Sequence, residues 1–485
     1  MNIFKYSSSV FKVVIMMLAI TSCKVTVESL KPEAAVPTTY GLHNDTANMA
    51  FKPWQIFYTD TTLTKLLGDA LERSLEMKIT TEEVNFYAAQ FQQAGRILYP
   101  VASVGATSRV DRYGEYTMNG VGNDDTNRSE SLPRDQLLPD PYPELFVGVN
   151  VSWEANLWKK LSSKRKAAQS RFMASVEMKH GLTTMLIGSV AQTYFELLGL
   201  DQEKLVLLEN IKLQSLAVGL VRIQKSGGRV NQLAVDQFES QLLNTQNRLI
   251  MIEQEILSTE SRINELIGRY PRLLARGSLN SFDTLERLLP GSPQQMVSQR
   301  PDIRRAEYLL EASGADVMVA RAAFYPSLQL SGNAGVSAFS LSKLLLTPQS
   351  AVYSLAAGIS APLLMRRRIR TIYDQATAKQ RMALHQYEKT VLNSYHEVYR
   401  SLNNGVALGK QISVKKREVL ILDRAVVNSK DLFDVGFANY LEVINAQQRR
   451  LEVGLELATL RKLQLQNFAL VYRALGGGWT QSKVE

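Results

Sequence analysis

At 485 residues, with 45% hydrophobic and 21% charged residues, the chain has the composition of a folded protein rather than a disordered one. Outside the N-terminus no apolar run reaches the roughly eighteen residues of a membrane-crossing helix, which argues against helical membrane spans in the mature chain. The net charge of +10 is modest for this length and spread along the sequence, so it weighs against a nucleic-acid footprint.

The chain opens with Lys5 and Lys12, an apolar run "VVIMMLAI", small residues at Thr21 and Ser22, and then Cys23, the only cysteine. That order is a secretory leader. The stretch "AITSC" resembles the lipobox of bacterial lipoproteins, which implies a signal peptide over 1–22, a covalent lipid on Cys23, and a lipidated extension and linker over 23–60. With no second cysteine, an intrachain disulfide is excluded.

Two proline-free stretches follow, from Pro143 to Pro271 and after Pro362. Each begins with a short alternating strand, continues as a long heptad-patterned helix, and carries a glycine at a central turn: "KSGGRVNQLAVDQF" around Gly227 and Gly228, and "LFDVGFANYLEVINAQ" around Gly436. Gly228 and Gly436, Asn231 and Asn439, Leu233 and Leu441, and Gly268 and Gly476 are all separated by the same interval. Tyr194 and Tyr395 match upstream at an interval one heptad shorter, which preserves helical phase. The sequence therefore reads as one unit written twice, a first repeat over 61–270, a linker over 271–300, and a second repeat over 301–485. Each repeat reads helix, strand, loop, strand, long helix, turn, long helix.

In the first repeat the pattern predicts a helix near Leu63 to Ala94, strands near Tyr99 to Glu115 and Glu144 to Trp153, then helices near Leu161 to Lys225 and Val230 to Leu266. In the second it predicts a helix near Asp302 to Ala322, strands near Pro326 to Ala338 and Ala351 to Pro362, then helices near Arg370 to Asp434 and Asn439 to Leu475. Both first strands follow a Tyr-Pro, at Pro100 and Pro326, where the proline ends a helix and the period changes from 3.6 to 2. A helix of some sixty residues is about 90 Å long, more than a globular core needs, so these helices are expected to pack side by side as a coiled-coil-like wall. The segment from Tyr116 to Tyr142 reads as a loop.

The strands are two-faced. In "ELFVGVNVSWE", Leu145, Val147, Val149, Val151 and Trp153 oppose Gly148, Asn150, Ser152 and Glu154; in "YSLAAGISA", Tyr353, Leu355, Ala357 and Ile359 oppose Ser354, Gly358 and Ser360. A half-buried soluble sheet gives the same alternation. Strands of about ten residues, with a leader and very long helices, also suit a transmembrane barrel with a wet lumen. Four strands cannot enclose water, so a barrel would need several chains.

Two segments, "SQRPDIRRAEYLLEASGADVMVARAAFYPSLQLSGNAG" from Ser298 and "GFANYLEVINAQQRRLEVGLELATLRKLQLQNFALVYRALGGGW" from Gly436, resemble the TolC-like outer-membrane efflux proteins, in particular their lipoprotein branch. The resemblance implies a mainly α fold with β, internally duplicated. It also implies a homotrimer whose pooled strands form a 12-stranded outer-membrane barrel continuous with a long periplasmic helical barrel. The implied function is a passive exit duct in the outer membrane of a Gram-negative bacterium, lipid-anchored and largely periplasmic. Its implied partners are a periplasmic adaptor (membrane fusion) protein and an inner-membrane pump of the RND type. The resemblance places an acidic ring at the periplasmic aperture, here Glu442 with Asn445 beside it and Asp431, Phe433 and Asp434 just before the turn. A solvated helix-face acid is the plainer reading of Glu442.

No catalytic constellation is present. His43, His180, His385 and His396 are scattered without metal-ligand spacing, and "RALGGGW" lacks the strand, Lys and Ser/Thr of a phosphate loop. The run "MRRRIR" from Met365 to Arg370 could bind anions, but it directly follows a strand, which places it among lipid headgroups or polar loops. The reading is therefore a non-enzymatic duct, without metal, cofactor or nucleic acid beyond the lipid on Cys23. A lipid-anchored periplasmic coiled-coil scaffold or adaptor subunit is the alternative; it would share the helices but need no amphipathic strands.

Overall fold

The structure, a computed structural model, describes residues 36–41, 47–282, 289–362 and 364–479. Cys23 and the leader lie outside them. In chain order the elements are α1 (Trp54–Phe57), α2 (Thr61–Arg73), α3 (Leu75–Arg96), β1 (Val101–Asp111), α4 (Met118–Asn127), β2 (Tyr142–Glu154), α5 (Lys160–Ser226), α6 (Gln232–Ile267), α7 (Pro293–Gln299), α8 (Pro301–Ala322), β3 (Ser327–Ala338), β4 (Ala351–Ser360), α9 (Arg366–Asp434) and α10 (Tyr440–Ala474). The long helices α5 and α9 run uninterrupted for 67 and 69 residues, as the absence of proline allows. Among the described residues no helix is long and apolar enough to cross a membrane.

Three expectations need correction. The first helix is two: at Ser74 the backbone turns extended (ψ 127°), its N–H closing α2 on the Ala70 carbonyl. The break fits the Arg73 carbonyl against Gly268, where an added Cβ would lie 3.0 Å from it; Gly268 has φ +79°. The stretch from Tyr116 to Tyr142 holds a ten-residue helix, α4, capped by Thr117 and braced by Asn127, whose side chain bonds both the N–H and the carbonyl of Leu138. The stretch over 271–300 contains α7, started by a capping box between Ser292 and Gln295 with Pro293 in its first turn.

The chain forms two compact units, each drawing on both halves of the sequence. One contains Ala94–Ala167 and Ser313–Leu384; the other contains the described residues up to Gln93, Ala168–Ala312 and those from His385 onward.

The first unit is built on an antiparallel sheet in the order β1-β2-β3-β4. Its register sets Ser103 beside Asn150, Asn150 beside Asn333, and Asn333 beside Ser354, giving one face a polar row. The adjacent row is Val104, Val149, Ala334 and Tyr353, on the opposite face. On that second face the side chains are apolar and uncovered: Val104 is 81% exposed, Tyr353 85%, Leu355 88% and Ile359 70%. Both edge strands pair on one side only. A sheet with two open edges and an uncovered apolar face is unstable in water alone. Each Tyr-Pro enters the sheet through the same turn: Tyr99 N–H donates to Arg96 and Tyr325 N–H to Ala322, with Pro100 and Pro326 standing one residue before β1 and β3.

The second unit has the large core. Phe57 stacks on Tyr472 (centroids 3.9 Å apart) and on Phe468 (4.6 Å), within a cluster including Tyr194, Phe195, Ile187 and Leu198. Tyr194 and Tyr395, matched in the sequence, both secure a passing segment. The Tyr194 hydroxyl donates to Asp60 and accepts from the Gly277 N–H, each at 3.0 Å; the Tyr395 hydroxyl donates to the Thr39 carbonyl at 3.1 Å. Burial pushes the Tyr194 and Tyr472 hydroxyls above their ordinary range.

Candidate functional site

The two helix-to-helix turns are built from the same bonds. At the end of α5, Gly228 takes φ +70°, its N–H reaches the Lys225 carbonyl, and Arg229 N–H reaches Gln224. At the end of α9, Gly436 takes φ +86°, its N–H reaches Phe433, and Phe437 N–H reaches Leu432. Both are Schellman caps, which need a left-handed residue that glycine supplies at least cost. Gly227 precedes the first of these and donates to Ile223. After each turn an asparagine starts the next helix: Asn231 accepts from Ala234 N–H at 3.1 Å, and Asn439 from Leu441 N–H at 3.3 Å. Gly268 and Gly476 cap α6 and α10 by the same pair of bonds, so the duplication extends to four helix ends.

Behind the turns an apolar cluster joins the two hairpins. Val218 and Val221 of α5, Ala234, Val235 and Phe238 of α6, and Val443 of α10 are buried together. Phe433 is half-buried against this cluster, so its ring is engaged in packing. Asp431, Asp434, Glu442 and Asn445 are exposed. Glu442 and Asn445 share an exposed face of α10, while Val443 between them turns into the cluster. Glu442 also sits in the first turn of α10, where a carboxylate is favoured by the helix dipole. The Val443 anchor was not singled out in the sequence, where one valine among several in a helical pattern carries no distinguishing signal.

Ion pairs link each hairpin's arms. Arg222 of α5 holds Glu239 of α6 at 2.7 Å, and Lys204 holds Glu253 at 2.8 Å. In the second hairpin Arg450 pairs with Asp423, Arg449 with Glu418 at 3.1 Å, and Lys415 bridges Glu418 (2.8 Å) and Glu456 (2.5 Å). The hydrogen bond from Lys415 holds the Glu418 carboxyl below its ordinary range. Between α6 and α10 a groove of about 330 Å³ is lined by Asp236, Gln237, Ser240, Gln241, Leu441 and Ile444. Among the described residues no group of histidine, cysteine and acidic side chains is arranged to hold a metal ion.

With the sheet and the two hairpins described, comparison with known proteins identifies the family. The model of a family described as "Outer membrane efflux protein" matches residues 66–269 and 292–477. The chain is 26% identical over 471 residues to the cation efflux system protein CusC of Escherichia coli O6:H1, covering 96% of this chain and 97% of that one. It is 28% identical over 431 residues to the toluene efflux pump outer membrane protein TtgI of Pseudomonas putida, covering 88% and 87%. Its fold matches the open-state crystal structure of the Neisseria gonorrhoeae MtrE outer membrane channel with a TM-score of 0.81 at 21% identity, over 94% of this chain and 99% of that one. The family match takes in both hairpins, all four strands and the caps at Gly228, Gly268 and Gly436, so the chain belongs to the outer membrane efflux protein family.

Proposed function

We propose that three copies of this chain pool their sheets into a 12-stranded barrel in the outer membrane and their hairpins into a periplasmic tube. The assembly is the passive exit duct of a tripartite efflux system. The observation that carries the reading is the sheet: open at both edges, apolar and uncovered on one face, polar on the other. Closing such a sheet on copies of itself satisfies the edges, places the apolar face in lipid and leaves the polar row lining water. A periplasmic adaptor and an inner-membrane pump of the RND type complete the pathway. Relatives named for a cation and for toluene match this chain about equally well, which supports a duct that leaves substrate choice to the pump. Outer-membrane fractionation followed by heat-modifiable migration in detergent gels and native mass spectrometry tests the reading. A stable monomer or dimer as the only species would overturn it.

We place the lipid anchor on Cys23, on the strength of "AITSC" and the absence of any other cysteine. Palmitate labelling is expected in the native chain and absent in Cys23→Ser, with precursor accumulating; undiminished labelling of the variant would remove the assignment.

In the trimer the exposed face carrying Glu442 and Asn445 is assigned to the pore axis at the aperture, with Asp431 and Asp434 near it. Three carboxylates converging on a narrow opening repel one another, and a bound cation relieves that repulsion. Glu442→Ala is therefore expected to weaken block by divalent or trivalent cations added from the periplasmic side of a planar bilayer. Changing Glu452, ten residues further along α10, should matter much less. Unchanged block in Glu442→Ala would return that carboxylate to the role its first-turn position already explains, stabilising the start of α10.

A further inference from the structure

The charge that reads as spread along the sequence is gathered in the fold. Strands β2 and β4 finish at the same end of the sheet, since Glu154 pairs with Gln329 and Ser360 with Ser327 at the start of β3. From each finish a long helix begins, and both helices begin basic. After Glu154 come Lys159, Lys160, Lys164, Arg165 and Lys166, with no acid until Glu177. After Ser360 come Arg366, Arg367, Arg368 and Arg370, with no acid until Asp374, the first since Asp316. Neither α5 nor α9 has an acid in its first turn. Cations there are the unfavourable choice for an isolated helix, so the local sequence is set by something outside the helix.

Lys160 pairs with Glu154 at 2.8 Å and Arg370 with Asp374 at 3.1 Å. Lys164, Lys166, Arg366, Arg367 and Arg368 are exposed and make no ion pair among the described residues. Aromatic side chains stand beside them. Trp158 stacks on Tyr325 with centroids 4.9 Å apart and donates its Nε1–H to the Pro326 carbonyl at 2.6 Å, while Trp153 donates to Leu98 at 3.0 Å. Beside the Trp158–Tyr325 pair a groove of about 300 Å³ is lined by Glu154, Trp158, Lys160, Tyr325, Pro326 and Pro362 among others, with Glu154 held by Lys160. Amphipathic rings at the end of an apolar sheet face, followed at once by unpaired cations, reproduce the layering of a bilayer boundary: hydrocarbon, interface, charged headgroup.

We propose that this end of the sheet binds the phosphodiester headgroups of anionic phospholipids in the periplasmic leaflet. Trp153, Trp158 and Tyr325 set the depth, and Lys164, Lys166, Arg366, Arg367 and Arg368 take the phosphates. Arginine presents a fork that matches two phosphate oxygens, and lysine a mobile point charge. Both repeats contribute, so three copies would carry a continuous cationic collar below the barrel. The proposal rests on the reading of the sheet as membrane strands, and its test separates the two.

The full-length protein is reconstituted into nanodiscs of phosphatidylcholine alone and of phosphatidylcholine with phosphatidylglycerol, and the lipids it retains on release are counted by native mass spectrometry. Insertion into pure phosphatidylcholine reports the barrel; enrichment of phosphatidylglycerol reports the collar. Neutralising Lys164, Lys166, Arg366, Arg367 and Arg368 together to Gln is expected to lower that enrichment by at least about tenfold, with insertion intact. Lysine at all three arginine positions should retain most of it. Enrichment unchanged in the Gln variant overturns the proposal and leaves the barrel standing. Displacement of the lipid by millimolar inorganic phosphate overturns the lipid assignment in favour of a free-phosphate site. Failure of the native protein to insert overturns both.

Discussion

Replacing Arg300 with leucine is expected to destabilise the second unit by about 3 kcal/mol, the lower part of the range for breaking a buried ion pair. Arg300 follows α7, and only 11% of its side chain is exposed. Its guanidinium grips Asp302 with two bonds (2.9 and 2.7 Å), reaches Glu397 of α9 at 2.9 Å, and donates to the Ala474 carbonyl of α10 at 2.5 Å. That carbonyl is among those a helix end leaves without an internal partner. One side chain thus ties the start of α8, the middle of α9 and the end of α10. The loss is held to the lower end because Arg473 still pairs with Glu397 at 3.0 Å. Leucine fills the space and strands the Ala474 carbonyl, while Asp302, 45% exposed, keeps its bond from the Ile303 N–H and turns to water; Arg300→Lys keeps the charge, loses the fork, and should fall between. Thermal unfolding of the detergent-solubilised protein measures this. A midpoint unchanged in Arg300→Leu would show the network to be dispensable. Gly476 makes the same point from the other side: a Cβ there would meet Arg300 backbone atoms at 3.1–3.2 Å.

This bolt lies inside the segment that carries the family resemblance, yet its function was not legible there. "SQRPDIRRAEYLL" shows a proline start and an acid in the first turn of a helix. Nothing in it announces a partner 97 residues away at Glu397. The features that were legible are those written in short range. Glycine after a helical run, asparagine three residues on, and proline before an alternating stretch each act within one turn of chain. Gly228, Asn231, Pro326 and their counterparts accordingly stand at the caps and the strand entry described here. The break at Ser74 depends on Arg73 meeting Gly268, and the proposed cationic collar depends on β2 and β4 finishing at the same end of the sheet, on either side of β3. Both are products of tertiary pairing, and linear charge density dilutes the second of them across two hundred residues of intervening sequence. Glu442 falls between the two cases. Its exposure and helix face follow from its position beside Val443, but its relation to a pore axis depends on the proposed assembly and is not written in one chain.

Placing arginine at Leu355 is the sharpest test of where the sheet resides. Leu355 lies in the middle of β4, is 88% exposed, and belongs to the apolar face; an added Cβ on Gly332, its partner across the strands, would meet the Leu355 side chain at 2.9 Å. If that face contacts hydrocarbon, Leu355→Arg costs about 2–4 kcal/mol, because a charge at mid-bilayer is desolvated, and the cost falls toward 0–1 kcal/mol near the interface. Ile359 stands on the same face four residues nearer the end of the strand. The order of damage should therefore be Leu355→Arg well above Ile359→Arg, both read as loss of folded, heat-modifiable protein in detergent or vesicles. Ser354 faces the opposite way, beside Asn333. Ser354→Arg should leave folding intact while lowering the conductance of cations through the duct, because in the proposed trimer three added positive charges would line water. A sheet covered by a protein partner would also resist arginine at Leu355, but the penalty would then follow the packing at each position rather than its distance from the strand centre. Equal damage at Leu355 and Ile359, or greater damage from Ser354→Arg, would turn the sheet inside out and remove the membrane from its apolar face.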